Sequence, residues 1–211
     1  MVVVNIIGGL GNQMFQYAFG YAISQENNMG LKLDTRGFDA YELRDYELEL
    51  YDIKESSESR FVPKYKFLLD RLSNGDTTFL GKIFRQSSRF LLRLTKFYYQ
   101  EKIAFVFDED VFNVRTDTYF SGYWQNEKYF KDYRNDLLEV FQLKSLHSKT
   151  KAYKKKIIEN ESVSLHIRRG DYLTINEVCD MEYYHKAILL FQNKAVHFFI
   201  FSDDLEWVKN N

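Results

Sequence analysis

The chain opens with a run of β-branched apolar residues, Val2-Val3-Val4-Asn5-Ile6-Ile7, which predicts a short buried parallel strand. Gly8-Gly9-Leu10-Gly11-Asn12 follows as a glycine turn. Beyond it, Met14, Phe15, Tyr17, Ala18, Tyr21 and Ala22 recur at the spacing of an amphipathic helix that should end near Asn27 to Gly30. Leu31-Lys32-Leu33-Asp34 reads as the next strand, completing a strand–turn–helix–strand unit. Residues Asp34 to Glu58 are acidic and Arg60 to Lys102 basic, and within the latter the spacing predicts a helix over Phe79 to Tyr99. Its apolar positions are Leu80, Ile83, Phe84, Phe90, Leu91, Leu94 and Tyr98, with Lys82, Arg85, Arg89, Arg93 and Lys96 mostly on the other side. Such a face can lie on an anionic membrane surface. The ordinary amphipathic pattern favours a covering helix whose basic side is in water.

Tyr119 to Gln125 reads as a strand leaving a polar turn, and Glu127 to Phe141 has helical periodicity. Lys144 to Asn160 is lysine-rich and suits a connecting helix or linker. The α/β pattern then restarts with a strand at Val163 to Ile167, a helix at Met181 to Phe191 and a strand at Ala195 to Phe201. Ser202-Asp203-Asp204 is a natural helix N-terminus. The expected architecture is α/β with parallel sheets. Residues 1–150 form a first domain with a helical insertion, and residues 151–211 begin a second. A sheet of two strands is marginal alone, so the second domain reads as incomplete and the chain as a fragment or truncated product.

Composition narrows the class. A hydrophobic fraction of 45% supports a sizeable core, and 18% aromatics argue against disorder. A net charge of -1 argues against a dedicated nucleic-acid binder. The single cysteine, Cys179, rules out an intramolecular disulfide and a cysteine-cluster zinc site, and fits a reducing compartment. No segment resembles an export or membrane-spanning signal, so a cytoplasmic protein beginning at Met1 is expected. His147, His166, His185 and His197 lack metal-ligand spacing, and no metal is expected.

Three constellations could carry chemistry. The turn Gly9-Leu10-Gly11-Asn12-Gln13 brings glycines and two amides to a helix N-terminus, where a ligand can approach backbone N–H groups. It lacks the third glycine of a dinucleotide fingerprint, although Asp34 lies 23 residues beyond Gly11, near the ~20 of a ribose-binding acid. A nicotinamide site and a tight turn with no ligand are the two alternatives. The segment His166-Ile167-Arg168-Arg169-Gly170-Asp171-Tyr172 ends a predicted strand, the place where open α/β sheets bind ligands. Arginine grips phosphate through a planar bidentate fork, and two in tandem suit a pyrophosphate. An Arg–Asp pair that pins the strand end would use the same residues. Ser202, Asp203 and Asp204 suit either helix capping or hydrogen bonding to a sugar or nucleotide.

Ile7 to Ala18 resembles the N-terminal signature of the α-1,2-fucosyltransferases, glycosyltransferase family 11, and His166 to Tyr172 matches their H-x-R-R-G-D-Y motif. Gly122 to Phe130, Cys179 to Tyr184 and Phe201 to Asp204 are similar to three further family segments, all in family order. The resemblance implies a GT-B fold of two Rossmann-like domains and a GDP-β-L-fucose donor. It also implies metal-independent inverting transfer to the 2-hydroxyl of a terminal β-galactoside. Carried over, Arg168 would neutralise the donor pyrophosphate with Arg169 in support. His166, Ser202 and Asp203 would belong to the donor site, and Gly9, Gly11, Asn12 and Gln13 to the acceptor side. Asp171 is grouped with Arg168 as catalytic. Asp171 and Glu177 are the nearest carboxylates in sequence for a general base. The other readings are an NAD(P)-binding Rossmann protein and a catalytically inactive glycan-binding fragment.

Overall fold

The computed structural model describes the chain except residues 41–43, 56–77, 95–96, 115, 171, 177 and 211. Asp171, Glu177 and much of the acidic-to-basic transition therefore lie outside the described residues. The chain divides into two compact units, Met1–Lys144 and Ser145–Asn211.

The first unit is built on a four-stranded parallel sheet. Its strands are β1 (Val2–Asn5), β2 (Leu31–Asp34), β3 (Tyr98–Gln100) and β4 (Thr118–Ser121), in the order β2-β1-β4-β3. Val2 pairs with Leu31 on one side and Thr118 on the other, so β1 is central, as its unbroken apolar run demands. Helix α1 (Leu10–Glu26) returns the chain from β1 to β2 and lies close on the sheet. Gly20 makes that approach possible, because a Cβ there would sit 2.6 Å from Val4 Cγ2 and 2.9 Å from Leu31 Cδ1. The core beneath is aromatic: Phe19 stacks on Trp124 with centroids 4.0 Å apart, and Phe120 and Tyr129 meet Phe19 edge-on.

Helix α2 spans Phe79–Arg93, shorter than the expected Phe79 to Tyr99, because Tyr98 is buried in β3. Its apolar stripe also does not cover the sheet: Leu80, Ile83, Phe84, Phe90 and Leu91 are exposed, and the buried side is formed by Gly81 and Ser88. The periodic stretch Glu127 to Phe141 is likewise not one helix. Two 3₁₀ turns, Glu127–Tyr129 and Lys131–Tyr133, precede helix α3 (Arg134–Val140). The side chain of Asn126 starts the first turn by accepting from Lys128 N–H.

The second unit begins with α4 (Ser148–Ile158), the lysine-rich stretch, on which no residue is buried. Strands β5 (Ser162–Ile167) and β6 (His197–Ser202) pair in parallel from Ser162↔His197 to Ile167↔Ser202. Helices α5 (Met181–Leu189) and α6 (Leu205–Asn210) follow β5 and β6 respectively, with one helical turn at Tyr172–Ile175 before α5. Both units are thus parallel α/β. Among the described residues no helix is long and apolar enough to cross a membrane.

Candidate functional site

The second unit concentrates charge at the carboxyl ends of its two strands. Because β5 and β6 run parallel and in register, the residues after Ile167 and those after Ser202 emerge side by side. The Arg168 guanidinium pairs with Asp203 at 3.3 Å, and that of Arg169 with Asp204 at 3.1 Å, each through Nε. The main-chain N–H of Arg169 donates to Asp203 Oδ1 at 2.8 Å. That N–H is the main cause holding the Asp203 carboxyl below its usual range, against a smaller upward push from burial; Gly170 N–H and the Arg168 charge add to it.

Each arginine also lies over a ring. Arg169 stands 4.1 Å from the centroid of Trp207, and Arg168 stands 5.3 Å from that of Tyr172. Gly170 leaves Asp203 in its place, since a Cβ there would fall 2.7 Å from Asp203 Oδ2 and push that carboxylate aside.

The Ser202-Asp203-Asp204 segment divides its work. Asp204 caps α6 by accepting from Trp207 N–H at 3.0 Å, and Ser202 Oγ accepts from Asp204 N–H at 2.9 Å. Asp203 faces the arginines instead. His166 is exposed on β5, and Ile167 beside it is buried, as period-two alternation requires. Tyr184 on α5 is a residue that sequence reasoning missed. It is buried, its phenol is pushed up mainly by burial, and its oxygen accepts a hydrogen bond from the Arg168 main chain. The only signal for it was its place in the Cys179 to Tyr184 segment.

In the first unit, the glycine turn is closed by its own amides. Gly8 adopts φ +79°, a left-handed conformation that favours glycine. Gln13 is fully buried: its Nε2 donates to the carbonyls of Gly8 and Asp45 at 2.9 and 2.8 Å, and its Oε1 accepts from Glu47 N–H at 2.9 Å. Gln16, also buried, accepts from Ile7 N–H at 3.0 Å and donates to the Gly122 carbonyl at 3.0 Å. Asn12 accepts from Gln125 at 2.8 Å. These bonds tie the turn after β1 to the turn after β4. Gly9 is the N-cap of α1, and Gly11 has no neighbour within 4 Å of a Cβ position.

Asp34 is committed as well. Arg36 clasps its two oxygens at 2.7 Å each, and Tyr119 donates to Oδ2 at 2.8 Å. Burial pushes its carboxyl up, but these bonds outweigh it and hold the group below its ordinary value. A carboxylate bound on both oxygens is poorly placed to take a ribose hydroxyl, which weakens the nicotinamide reading.

Beside this turn lies a cavity of about 400 Å³ at the carboxyl end of the sheet. It is lined by Asn5 and Gly8 at and beyond the end of β1, Gln100 and Glu101 at and beyond that of β3, and Ser121 and Tyr123 at and beyond that of β4, with Arg89 from α2. Glu101 clamps the β4 turn: its carboxylate accepts from Tyr123 N–H at 2.7 Å and Trp124 N–H at 3.1 Å. Trp124 is left-handed at φ +56°, and Gly122 lies where a Cβ would meet Glu101 Cβ at 2.4 Å. Sequence reading singled out Gly122 to Trp124 but not Glu101, whose partners follow the neighbouring strand, 22 and 23 residues along the chain. No group of three His, Cys, Asp or Glu that could hold a metal occurs among the described residues.

Residues 77–211 match the sequence profile of glycosyl transferase family 11. The chain is 34% identical to an alpha-1,2-colitosyltransferase of Escherichia coli, over 99% of this chain and 71% of that protein. It is 31% identical to the O-antigen biosynthesis glycosyltransferase WbnK of the same organism, over 96% of this chain and 72% of that protein. No solved structure matches it. The profile takes in both strand ends that carry the arginines and their carboxylates. The first unit, with its glycine turn, is spanned by both relatives as well. On both counts the chain belongs to glycosyl transferase family 11, and it is a glycosyltransferase of fucosyltransferase-like type.

Proposed function

We propose that the protein moves L-fucose from GDP-β-L-fucose to the 2-hydroxyl of a terminal β-galactoside with inversion. The observation that carries this reading is the arginine pair at the end of β5, held by Asp203 and Asp204 from the end of β6. Inverting transfer requires the acceptor oxygen to attack the anomeric carbon as the bond to the GDP oxygen breaks. Negative charge then grows on the departing pyrophosphate. Preorganised cations aimed at that charge lower the barrier. Arg168 and Arg169 serve this role in our reading, with Asp203 fixing the turn that presents them, and no divalent metal is called on.

His166 and Ser202 complete the donor side in this reading. The acceptor side is the glycine turn with Gly9, Gly11 and Asn12, and Gln13 acts there as an internal brace. The 400 Å³ cavity beside it, with an aromatic ring at Tyr123 and hydrogen-bonding groups at Asn5, Gln100 and Glu101, suits a sugar. The acceptor's proton goes to a carboxylate, for which Asp171 is the candidate from the motif. The two units are read as the acceptor-side and donor-side domains of a GT-B enzyme, working in the cytoplasm.

The name of one relative specifies colitose, which is L-fucose without its 3-hydroxyl. The two sugars are therefore the competing donors. The test incubates the protein with a β-galactoside and GDP-fucose or GDP-colitose, and reads the linkage of the product by NMR. An α-1,2-fucosyl product formed faster than the colitosyl one supports the proposal. Faster colitosyl transfer, or stabilisation of the protein by NAD but not by GDP, overturns it.

A further inference from the structure

Among the described residues, the large apolar side chains of helix α2 do not face the buried part of the first unit. Gly81 and Ser88, seven residues apart, are buried, and α2 contacts β3. The large apolar residues point elsewhere. Leu80 is 63% exposed, Ile83 46%, Phe84 50%, Phe90 63%, Leu91 49%, and Leu94 just past the helix 70%. By the 3.6-residue period these six share one side of the helix. An apolar patch of this kind on a monomer ordinarily marks an interaction surface.

The charge says what covers it. From residue 79 to 96 the chain carries five Lys or Arg and no Asp or Glu, although the whole protein has a net charge of only -1. An anionic bilayer satisfies both features, because it accepts the apolar stripe below its headgroups and attracts the bases carried on the polar side of the helix.

A second feature lies next to the strand on which α2 packs. After β3, Ile103 is 64% exposed, Phe105 68% and Val106 52%. Phe105 sits at φ +64°, a conformation that bulky residues rarely adopt, and Asn126 holds its carbonyl at 2.9 Å. The backbone is thus held in an unfavourable conformation while an aromatic side chain remains in solvent.

We propose that α2 is a membrane-contacting helix that seats Leu80, Ile83, Phe84, Phe90, Leu91 and Leu94 in an anionic lipid surface. Arg89 of the same helix lines the cavity of the first unit, so this contact carries that cavity to the bilayer. The proposal is independent of the donor reading.

The test sediments the full chain with vesicles of phosphatidylglycerol and phosphatidylcholine, or of phosphatidylcholine alone. Binding is expected only with the anionic lipid, weakening as salt rises. The double variant Phe84→Ser, Phe90→Ser should lose at least about tenfold in vesicle affinity with its melting temperature unchanged. Any of three results overturns the proposal. One is wild-type protein that stays in solution with anionic vesicles. Another is a variant whose melting temperature falls sharply, showing that the chain itself covers the stripe. The third is a wild-type dimer that the variant converts to monomer.

Discussion

The main-chain N–H of Arg169 donates to Asp203 Oδ1 across 34 residues of sequence, at 2.8 Å. That bond joins the turn after β5 to the turn after β6. The same carboxylate meets the Arg168 guanidinium, so one side chain sets both the backbone and the charge of the arginine pair.

Arg168→Lys keeps the charge but removes the planar fork. Loss of a charge-assisted hydrogen bond to the pyrophosphate costs about 1.5–3 kcal/mol, or roughly ten- to hundred-fold in donor affinity. Titration of the folded variant with GDP-fucose should show that loss. Unchanged affinity together with a lowered melting temperature would mean that Arg168 only pins the strand end, and would remove it from the site.

Gly170→Ala separates the site from the fold in another way. The new Cβ would lie 2.7 Å from Asp203 Oδ2, the free end of a side chain that can move aside. Stability should fall by less than about 1 kcal/mol. Donor binding should weaken, because Asp203 would no longer hold Arg168 and the Arg169 N–H together. Calorimetric titration alongside a thermal melt reads both, and full donor affinity in the variant would count against a role for Asp203.

Gly20→Ala and Gly11→Ala should have opposite signs. At Gly20 the added methyl meets Val4 and Leu31 below contact distance. Overpacking costs about 1–3 kcal/mol, against about 1 kcal/mol regained in helix propensity. At Gly11 no atom lies within 4 Å, so only the gain remains. Urea midpoints should fall for the first and rise for the second.

Asp34→Asn should destabilise the first unit by about 1–3 kcal/mol at neutral pH, with Arg36's partial exposure limiting the loss. The folded carboxyl is held below its ordinary value, so its contribution is complete above the unfolded value of about 4. It is lost as pH falls through the folded value. Wild type and variant should therefore differ fully at pH 7 and converge in acid. A constant gap down through the carboxylate range would show that Asp34 is not the group responsible.

Much of the local structure was legible in the sequence by itself. The β-branched run, the glycine turn and the helical spacing after it placed β1, α1 and β2 near their observed bounds. The H-x-R-R-G-D-Y motif stood at the end of a predicted strand, and the structure puts His166 to Gly170 there. These are short-range properties: period, turn chemistry and strand length are set by neighbours along the chain. Tertiary structure decided which faces met. The period around Phe79 to Leu94 showed which residues share a side of α2, but not that Gly81 and Ser88 would be buried and leave the apolar stripe outside. Tyr98 read as the last position of that helix until pairing with Tyr119 drew it into the sheet. Gln13 and Asp34 looked ligand-facing in the sequence, and folding spent their hydrogen bonds on Asp45, Glu47, Arg36 and Tyr119. A buried polar group takes whichever partner the fold brings to it. Those partners come from other parts of the chain, and only parallel pairing of β1 with β4 and of β5 with β6 brings the more distant ones into reach.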